Sequence, residues 1–358
     1  MMTAVSNHHV TKSIRPNILE MAGYAPGEQP QAGKFIKLNT NENPYPPSPR
    51  VVQAIREAAE SSLIRYPDAT ATCFRQRAAE VLGVDPDWIL CGNGSDDILT
   101  ILTCAFVGEG ELLRLPYPSY VLYKTLGNLQ GARSEEVPFQ NDWTLPDTFA
   151  APSEGLKLAF LPNPNSPSGT VINHDDLRRL AAQMPCPLLI DEAYVDFADA
   201  DCLALVREFE HVMVSRTLSK SYALAGLRFG FLVAQPTLIQ QLVKVKDSYN
   251  CDALAIAGAT AAIDDQEWLR ANRQKVIATR QRLHQALEQL GFSVIPSQAN
   301  FLWCTHPAVP LEPVYQQLKS NRILVRYMKY PQWSDGIRIS VGTDDQIDAL
   351  LALLPTLM

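Results

Sequence analysis

The chain has 358 residues, of which 46% are hydrophobic and 19% are charged, and its formal net charge is −7. This length predicts two domains that share a substantial core, and the acidic balance argues against a nucleic-acid-binding protein. The seven cysteines form no Cys-x-x-Cys pair. That pattern indicates neither a disulfide framework nor a zinc site, and it favours the reducing cytoplasm.

The first 45 residues are predicted to form an N-terminal arm. Residues 1–16 lack the apolar core of a signal peptide. No apolar run in the sequence approaches the roughly 18 residues that a membrane span needs. We therefore expect a cytoplasmic protein that does not enter a membrane.

Residues 46–255 are predicted to form a large domain in which helices alternate with short strands. Strands are predicted at 112–115, 156–161, 187–190, 211–215 and 228–233. Helices are predicted at 48–60, 72–82, 95–107, 120–128 and 175–183. Because the strands are continuously apolar rather than alternating, they indicate a sheet that is buried on both faces, and the fold class is α/β.

Residues 256–358 are predicted to form a smaller domain. Three helices are predicted between 236 and 290, the last over 266–290, so the boundary near residue 255 lies in helical sequence. Beyond them, strands are predicted at 292–295, 301–304, 323–326 and 337–341, with helices at 310–321 and 344–354. This mixture indicates an α+β domain.

The segment 215–230 places one lysine, Lys220, among hydroxyls and small residues, just past an apolar run that is predicted to be a buried strand. Burial disfavours the charged ammonium, and an amine that loses its proton easily can condense with an aldehyde. For a lone lysine, a side chain that snorkels from the end of a strand would be the ordinary interpretation. The neighbours of Lys220 favour chemistry instead.

Those neighbours favour a phosphate site. Ser219 offers a hydroxyl, and Arg228 offers a planar fork of donors that suits a phosphate. Gly226 and Gly230 would let the backbone approach closely. An aldehyde that carries a phosphate handle is pyridoxal phosphate.

Two more segments are candidates for the same site. Gly94, Ser95 and Asp96 follow a strand-like run and open a helix, where free N–H groups and the helix dipole attract an anion. Taken alone, Gly-Ser before a helix is often only a cap. Asp191 stands at the carboxyl end of a buried strand, the end that faces the ligand crevice in open α/β sheets. Its carboxylate could pair with a protonated pyridine nitrogen, and a helix-capping role is the structural alternative.

Together these segments resemble the signatures of the fold-type I pyridoxal-phosphate aminotransferases and, more narrowly, of their histidinol-phosphate aminotransferase branch. The resemblance runs from about residue 15 to the C-terminus, and its motifs follow the order of the family. It implies a large domain with a mixed, mostly parallel sheet flanked by helices, a smaller α+β C-terminal domain, and a homodimer.

The resemblance also implies roles for individual residues. Lys220 would hold the cofactor covalently, Asp191 would pair with its ring nitrogen, and Tyr194 would bond its 3-oxygen. Tyr120 would stack on the ring. The residues that would hold the cofactor phosphate are Gly94, Ser95, Asp96, Ser219, Arg228 and Tyr66 of the partner subunit.

The sequence departs from the family pattern in two places. In the turn 163–170, an ungapped match puts Ser166 immediately before the proline, where the family has asparagine, and Asn165 lies one place earlier. Either side chain could bond the cofactor 3-oxygen, and we favour Asn165. Many members of the family also have glycine at the position that Ala223 occupies here.

Substrate recognition is expected from the small domain and the arm. Arg338 matches the arginine that clamps the carboxylate or phosphate of the substrate, and Arg326 matches a second anion-binding arginine of the histidinol-phosphate branch. Tyr24 in the arm is a candidate substrate contact. Arginines on strands are often surface residues, but these two lie beside otherwise apolar strands.

We therefore predict a cytoplasmic homodimer that transfers the amino group of L-histidinol phosphate to 2-oxoglutarate in histidine biosynthesis. An aromatic-amino-acid aminotransferase would share the cofactor site, and a phosphothreonine decarboxylase would also bind a phosphorylated amine. An NAD-dependent dehydrogenase is disfavoured because no Gly-x-Gly-x-x-Gly fingerprint is present. A regulator built on this fold would need a fused DNA-binding domain, for which the arm is too short.

Overall fold

The computed structural model describes residues 13–23, 27–30, 33–61 and 63–358. The helices of these residues are α1 (Pro16–Glu20), α2 (Pro49–Ser61), α3 (Thr72–Leu82), α4 (Ser95–Phe106), α5 (Leu122–Gln130), α6 (His174–Gln183), α7 (Leu203–Glu208), α8 (Pro236–Leu242), α9 (Ala253–Asp264), α10 (Gln266–Gln289), α11 (Leu311–Ser320) and α12 (Asp344–Leu353). Within the described ranges, no helix combines the length and apolarity needed to cross a bilayer.

The strands of the described residues form three sheets. They are β1 (Ile36–Lys37), β2 (Ile89–Gly92), β3 (Leu112–Tyr117), β4 (Arg133–Pro138), β5 (Leu156–Pro162), β6 (Leu188–Asp191), β7 (Val212–Thr217), β8 (Gly230–Val233), β9 (Ser293–Val294), β10 (Phe301–Thr305), β11 (Ile323–Leu324), β12 (Arg326–Met328) and β13 (Gly336–Ser340). The large sheet has seven strands in the order β2-β8-β7-β6-β5-β3-β4. Strand β8 is antiparallel to both of its neighbours, and the other pairs are parallel.

Two hydrophobic clusters cover the two faces of the large sheet. On β5, Ala159 and Leu161 belong to one cluster, whereas Leu158 and Phe160 belong to the other. Helices pack on both sides, so both sets of alternating side chains are removed from water. This arrangement explains why the strands are continuously apolar, and it confirms the predicted α/β fold with a mostly parallel sheet.

The small unit consists of β9–β13 with helices α11 and α12. Its main sheet has the order β12-β13-β10-β9 and is antiparallel. Strand β1 pairs in parallel with β11, and Leu38 is buried in the core of this unit. The chain that leaves the arm is thus packed against the small unit before it enters the large one.

The predicted domain division into 1–45, 46–255 and 256–358 stays a prediction. Residue 255 lies inside α9, and Ala255 is buried in the same cluster as one face of the large sheet. Helix α10, which follows, sends Leu283 and Leu287 into the core of the small unit.

Several elements carry no sequence signal strong enough to predict them. Strand β4 lies at the edge of the large sheet, and its residues are exposed or half-buried. Because it needs to bury little surface, it has the polar composition of a loop. Strand β1 and helices α1 and α7 are too short to show a period.

Strand β3 carries the one guanidinium that is fully buried among the described residues. Arg114 is 1% exposed, and its Nε donates to Glu135 Oε2 at 2.6 Å. Its terminal nitrogens donate to the carbonyl oxygens of Phe149 at 2.7 Å and Ala151 at 2.6 Å, and to Ser153 Oγ at 2.6 Å. The side chain thereby joins β3 to β4 and to the loop that precedes β5.

We expect Arg114→Met to lower the free energy of unfolding by about 3–5 kcal/mol, because it leaves several buried acceptors without a donor. Denaturant titration of the purified protein measures this change. Arg178→Met is the matched control, since the Arg178–Glu208 pair is exposed and exposed pairs contribute about 1 kcal/mol or less. Similar losses in the two variants would contradict the expectation.

Candidate active site

The candidate active site is a cavity of about 440 Å³ at the edge of the large sheet where its parallel strands end. This is the edge at which open α/β sheets bind ligands, and the volume suits a small molecule. Below we call it the active-site cavity. The predicted residues on its wall are Ser95, Asp96, Tyr120, Asp191, Tyr194, Ser219, Lys220, Arg228, Arg326 and Arg338.

Lys220 reaches the active-site cavity from the loop that follows β7. The residues of β7 from Val212 to Ser215 are fully buried, whereas Lys220 is half-buried. Its Nζ donates to the carbonyl oxygen of Thr40 at 3.2 Å and lies 5.8 Å from the centre of the Tyr194 ring. The amine therefore lies just beyond the end of a buried strand, where a carbonyl compound in the cavity can reach it.

Asp191 ends β6 and is 4% exposed. Its carboxylate accepts hydrogen bonds from Tyr123 Oη at 2.7 Å, Ser215 Oγ at 3.1 Å and the Ala193 N–H at 3.2 Å. Burial raises the pKa of this carboxyl group, and the hydrogen bonds oppose the rise. A cationic group placed against Asp191 would be strongly favoured there.

Ser95 begins α4 and places the free N–H groups of the helix at the cavity. Arg228 Nη1 lies 3.5 Å from Ser219 Oγ, and Arg228 Nη2 lies 3.3 Å from Asp96 Oδ2. Because the Asp96 carboxylate is negative, we expect its backbone N–H, not its side chain, to serve an anion. A helix N-terminus, hydroxyls and a guanidinium are groups that bind phosphate in proteins, so this part of the cavity is the candidate phosphate site.

Two glycines make this phosphate site possible. Gly94 has a φ of 84°, and a Cβ there would come within 2.6 Å of Arg228 Nη2. A Cβ on Gly230 would come within 2.5 Å of the Ser95 nitrogen, so β8 can approach the start of α4 only without a side chain. Gly226, also predicted to permit close approach, has no atom within 4 Å of its hypothetical Cβ.

Ala223 adopts a left-handed φ of 59° in the loop after Lys220, a conformation that costs a residue with a Cβ about 1–2 kcal/mol. We expect Ala223→Gly to raise the free energy of unfolding by about 0.5–1 kcal/mol, because the freedom of glycine in the unfolded chain offsets part of the gain. Denaturant titration measures the change. The same substitution at the exposed helical residue Ala278 should lower the free energy of unfolding by about 1 kcal/mol. Equal effects at both positions would show that the backbone of Ala223 is not strained.

Two phenols flank the cavity. The Tyr120 ring meets the Tyr123 ring edge-on, with centroids 5.5 Å apart, and Tyr120 Oη lies 3.3 Å from Asp96 Oδ1. Tyr194 Oη accepts a hydrogen bond from Asn41 Nδ2 at 2.9 Å. Both phenols are thus oriented by neighbours before any ligand binds.

The turn after β5 holds the two alternatives for the 3-oxygen contact. Ser166 lies on the cavity wall, and its Oγ accepts from Arg338 Nη1 at 2.8 Å. Asn165 is 2% exposed, and its Nδ2 donates to Ser168 Oγ at 2.9 Å. Its Oδ1 is buried without a hydrogen-bond partner among the described residues. Our preference for Asn165 as the residue that bonds the cofactor 3-oxygen stays a prediction. Of the two side chains, Ser166 has the more direct access to the cavity.

Arg326 and Arg338 lie directly opposite each other on the antiparallel strands β12 and β13 and both line the cavity. Like charges in this cross-strand arrangement repel. Within the described ranges no carboxylate lies at ion-pair distance from Arg326. An anionic group between the two guanidinium groups would relieve the repulsion, so the geometry favours a ligand with a phosphate or carboxylate.

Four predicted site residues are not found on the wall of this cavity: Gly94 and Asn165, described above, and Tyr24 and Tyr66. Tyr24 lies outside the described residues. Tyr66 is 80% exposed, stacks on Tyr249 with centroids 4.5 Å apart, and lines a separate surface hollow beside α2 and α9. Within one chain Tyr66 does not reach the active-site cavity.

The sequence predicts no specific contact for Tyr123 or Asn41, although each bonds a predicted site residue directly. For Tyr123 a signal existed, because it follows Tyr120 by three residues at the start of a helix and so lies on the same face. For Asn41 the sequence gives no sign of this particular bond, since its partner Tyr194 is distant along the chain.

The residues of this cavity fit the pyridoxal phosphate that the sequence predicts. The cavity has a candidate anion site whose backbone approach requires Gly94 and Gly230. It also has a buried acid, Asp191, for a ring nitrogen, and an amine, Lys220, that could join an aldehyde. A buried acid without a cation would be an expensive feature in a cavity of another purpose.

Comparison with known proteins places the chain in a family. The model of the family "Aminotransferase class I and II" matches residues 33–354. The chain therefore belongs to the class I and II aminotransferases, and it is an enzyme of that class. Within the class it belongs with the histidinol-phosphate aminotransferases, as the following relatives show.

Relatives of this name are similar over nearly the whole chain. The histidinol-phosphate aminotransferase of Rhodopirellula baltica is 57% identical over 96% of this chain and 95% of its own length. Histidinol-phosphate aminotransferase 1 of a Nostoc species is 48% identical over 98% and 99%. Among solved structures, histidinol-phosphate aminotransferase from Sinorhizobium meliloti in complex with pyridoxal-5'-phosphate has a TM-score of 0.89 at 27% identity, covering 96% of this chain and 97% of the other.

A more distant structure agrees on the fold alone. A double mutant of the Thermus thermophilus aspartate aminotransferase has a TM-score of 0.79 at 21% identity and covers 90% of this chain and 92% of its own. The two architectures are the same, whereas the side chains that face the substrate are free to differ.

Proposed function

We propose that this chain is a histidinol-phosphate aminotransferase. With pyridoxal phosphate on Lys220, it transfers the amino group of L-histidinol phosphate to 2-oxoglutarate, which gives imidazole acetol phosphate and glutamate in histidine biosynthesis. The observation that carries the proposal is the opposed pair Arg326 and Arg338 on the wall of a cavity that has a second anion site at Arg228. Two anion sites suit a phosphorylated cofactor and a phosphorylated substrate, and the names of the relatives agree.

The bound cofactor supplies an electron sink for the α-carbon of the substrate. Asp191 keeps the ring nitrogen protonated, because its buried carboxylate needs a cation. Ser219, Arg228 and the start of α4 hold the phosphate, and Tyr120 orients the ring. With the cofactor bound, Lys220 would join its aldehyde, and the freed Nζ would serve as the base that takes the proton from the α-carbon of the substrate.

The two arginines have to accept two different anions in turn. In the first half-reaction Arg326 and Arg338 bind the phosphate of histidinol phosphate. In the second they bind a carboxylate of 2-oxoglutarate, since guanidinium forks fit either group. Their position on adjacent strands keeps the spacing of the pair constant through both half-reactions.

Steady-state assays with histidinol phosphate, phenylalanine and phosphothreonine test the proposal. We expect kcat/KM to be highest for histidinol phosphate. Loss of the phosphate, in histidinol, should lower kcat/KM about 10- to 100-fold, the value of a charged hydrogen bond. In Arg326→Gln the penalty for histidinol should shrink. A higher kcat/KM on phenylalanine, or release of carbon dioxide from phosphothreonine, would replace the proposal with one of its two alternatives.

We further propose that the active enzyme is a homodimer in which Tyr66 serves the cofactor phosphate of the partner subunit. Leu63, Ile64 and Tyr66 are 63%, 90% and 80% exposed and neighbour one another in the chain. The hollow beside them is lined by alanines of α2 and α9 together with polar and charged side chains. An exposed apolar surface of this kind is typical of a protein–protein contact.

Mixing two inactive variants tests the shared site. Lys220→Ala and Tyr66→Ala subunits, unfolded and refolded together, should regain activity above either parent, because a mixed dimer has one site with both residues intact. Each variant refolded alone is the control. Sedimentation of the wild-type enzyme as a monomer with full activity would refute the dimer proposal.

For the compartment we propose the cytoplasm. The seven cysteines are all present as free thiols in the described residues, and five of them are buried. Burial raises the pKa of Cys186 to about 11 and that of Cys304 to about 12, so these thiols stay protonated and unreactive. Cell fractionation tests the assignment, and recovery from an oxidising compartment would contradict it.

A further inference from the structure

The chain segment 38–41 connects the small unit to the catalytic lysine. Each of its four carbonyl oxygens accepts a hydrogen bond from elsewhere in the fold. Three of the donors belong to the small unit, and the fourth is the amine of Lys220. In order, the donors are Ser340 N at 2.9 Å, Arg338 Nη2 at 3.1 Å, Lys220 Nζ at 3.2 Å and Asn300 Nδ2 at 2.9 Å.

Asn41 is the most constrained residue of this segment. It is 1% exposed and adopts a left-handed φ of 57°. Its N–H donates to Ser340 Oγ at 2.8 Å, and Ser340 Oγ donates back to its Oδ1 at 2.9 Å. With the amide turned the other way, the hydroxyl hydrogen of Ser340 would lose this acceptor. The pairing therefore directs the Nδ2 group of Asn41 toward Tyr194.

That orientation decides the role of the Tyr194 hydroxyl. Asn41 Nδ2 donates to Tyr194 Oη at 2.9 Å, so the phenol is the acceptor in this bond and its own hydrogen has to point elsewhere. Tyr194 lines the active-site cavity. The direction left for its hydrogen is toward a ligand in that cavity.

We propose that Asn41 is a positioning residue that commits the Tyr194 hydroxyl to donate its hydrogen to the ring oxygen of the cofactor. The inference rests on the proposed function, because it requires the cofactor in the active-site cavity. Asn41 borders the cavity but is 1% exposed, and we assign its effect to the bond with Tyr194 and not to a direct contact with a ligand. Since Ser340 lies on β13 with Arg338, the same strand that binds the substrate anion also holds this donor in place.

The colour of the bound cofactor provides the readout. A hydrogen bond to the ring oxygen spreads its negative charge, which weakens its hold on the proton of the neighbouring nitrogen that is joined to Lys220. Loss of the donor should therefore raise the pH at which the visible absorbance of the holoenzyme titrates. The charged groups that share the cavity are Glu42, Asp96, Asp191, Lys220 and the three arginines, and none of them changes in the variants below.

Asn41→Gly removes the amide and keeps the left-handed backbone accessible. We expect the titration midpoint to rise by about one pH unit, the equivalent of one hydrogen bond to a charged group. Ser340→Ala leaves Asn41 in place but frees its amide, and it should raise the midpoint by a smaller amount. Asn43→Gly is the matched control: its amide donates to the Ser221 carbonyl, so the midpoint should stay at the wild-type value.

The double variant decides whether Asn41 acts through Tyr194. In a Tyr194→Phe background, Asn41→Gly should cause no further shift. Additive shifts, or a wild-type midpoint in both Asn41→Gly and Ser340→Ala, would overturn the inference. If Asn41→Gly fails to fold, the same pair of measurements on Ser340→Ala decides it. A wild-type protein with no visible band and no adduct on Lys220 would instead refute the proposed function.

Discussion

Lys220→Ala is expected to lower kcat by roughly four orders of magnitude or more, because one amine both holds the cofactor and moves the proton. The position of Nζ, which lies over the Tyr194 ring and bonds the Thr40 carbonyl, leaves it directed into the active-site cavity. Steady-state kinetics with histidinol phosphate measure the loss. The variant should still bind the cofactor through its phosphate site, but without a covalent link.

Borohydride reduction followed by peptide mapping is the companion measurement. The wild-type enzyme should yield a pyridoxyl adduct on residue 220, and the variant should yield none. Lys124→Ala is the control, since Lys124 is half exposed and forms only a surface pair with Glu136. An adduct on another lysine, or a Lys220→Ala enzyme with a kcat within tenfold of wild type, would contradict the assignment of Lys220 as the residue that holds the cofactor.

Asp191→Asn is expected to lower kcat by about 10³-fold or more and, at the same time, to stabilise the cofactor-free protein. Activity falls because a neutral amide no longer holds the ring nitrogen in its protonated form, and a charge directed at the reacting system is lost. Stability rises because the substitution removes a buried charge. The amide can keep the hydrogen bonds, with its nitrogen toward Tyr123 and its oxygen toward Ser215 and Ala193.

The pH dependence of this stability difference follows from the raised pKa of Asp191. Well below the ordinary range of an aspartate, the group is protonated in both the folded and unfolded states, and the two proteins should be equally stable. As the pH rises, the unfolded chain ionises first, which favours unfolding of the wild type. The stability advantage of Asp191→Asn over the wild type therefore grows as pH rises, and it reaches its full size above the pKa of Asp191 in the folded protein.

Thermal unfolding of cofactor-free wild-type and Asp191→Asn protein across this pH range measures the effect. We expect the variant to melt at a higher temperature at neutral pH and at the same temperature in acid. Asp199→Asn, at an exposed position outside the cavity, is the matched control and should show no such trend. A variant that is less stable than wild type at neutral pH would show that the hydrogen bonds outweigh the buried charge.

Elements and site residues that depend on local sequence were predictable. Helix α3 has the bounds that the sequence predicts, and the strands from β5 to β8 agree within a few residues. The reason is that the apolar residues that each of these elements buries follow one another in a short stretch of sequence. Residues next to strand ends follow from these strands. Once β6 and β7 are known to be parallel, Asp191 and the loop of Lys220 must lie at the same edge.

Contacts between distant segments were not predictable in the same way. The three-residue spacing puts Tyr123 on the same face as Tyr120, but it does not show that Tyr123 bonds Asp191, since these residues meet only when α5 packs on the sheet. Strand β4 was missed because an exposed edge strand has no apolar pattern.

What the sequence by itself determined is the order of the helices and strands that have an apolar pattern, the family, and the candidate residues of the site, because short-range apolar periods and motifs specify them. Only the tertiary structure decided which partners orient those groups: Asn41 on Tyr194, and Arg326 opposite Arg338. It also decided that Tyr66 lies away from the cavity of its own chain. The reason is that such contacts depend on how the small unit and the segment 38–41 pack against the large sheet, and no local pattern encodes that packing.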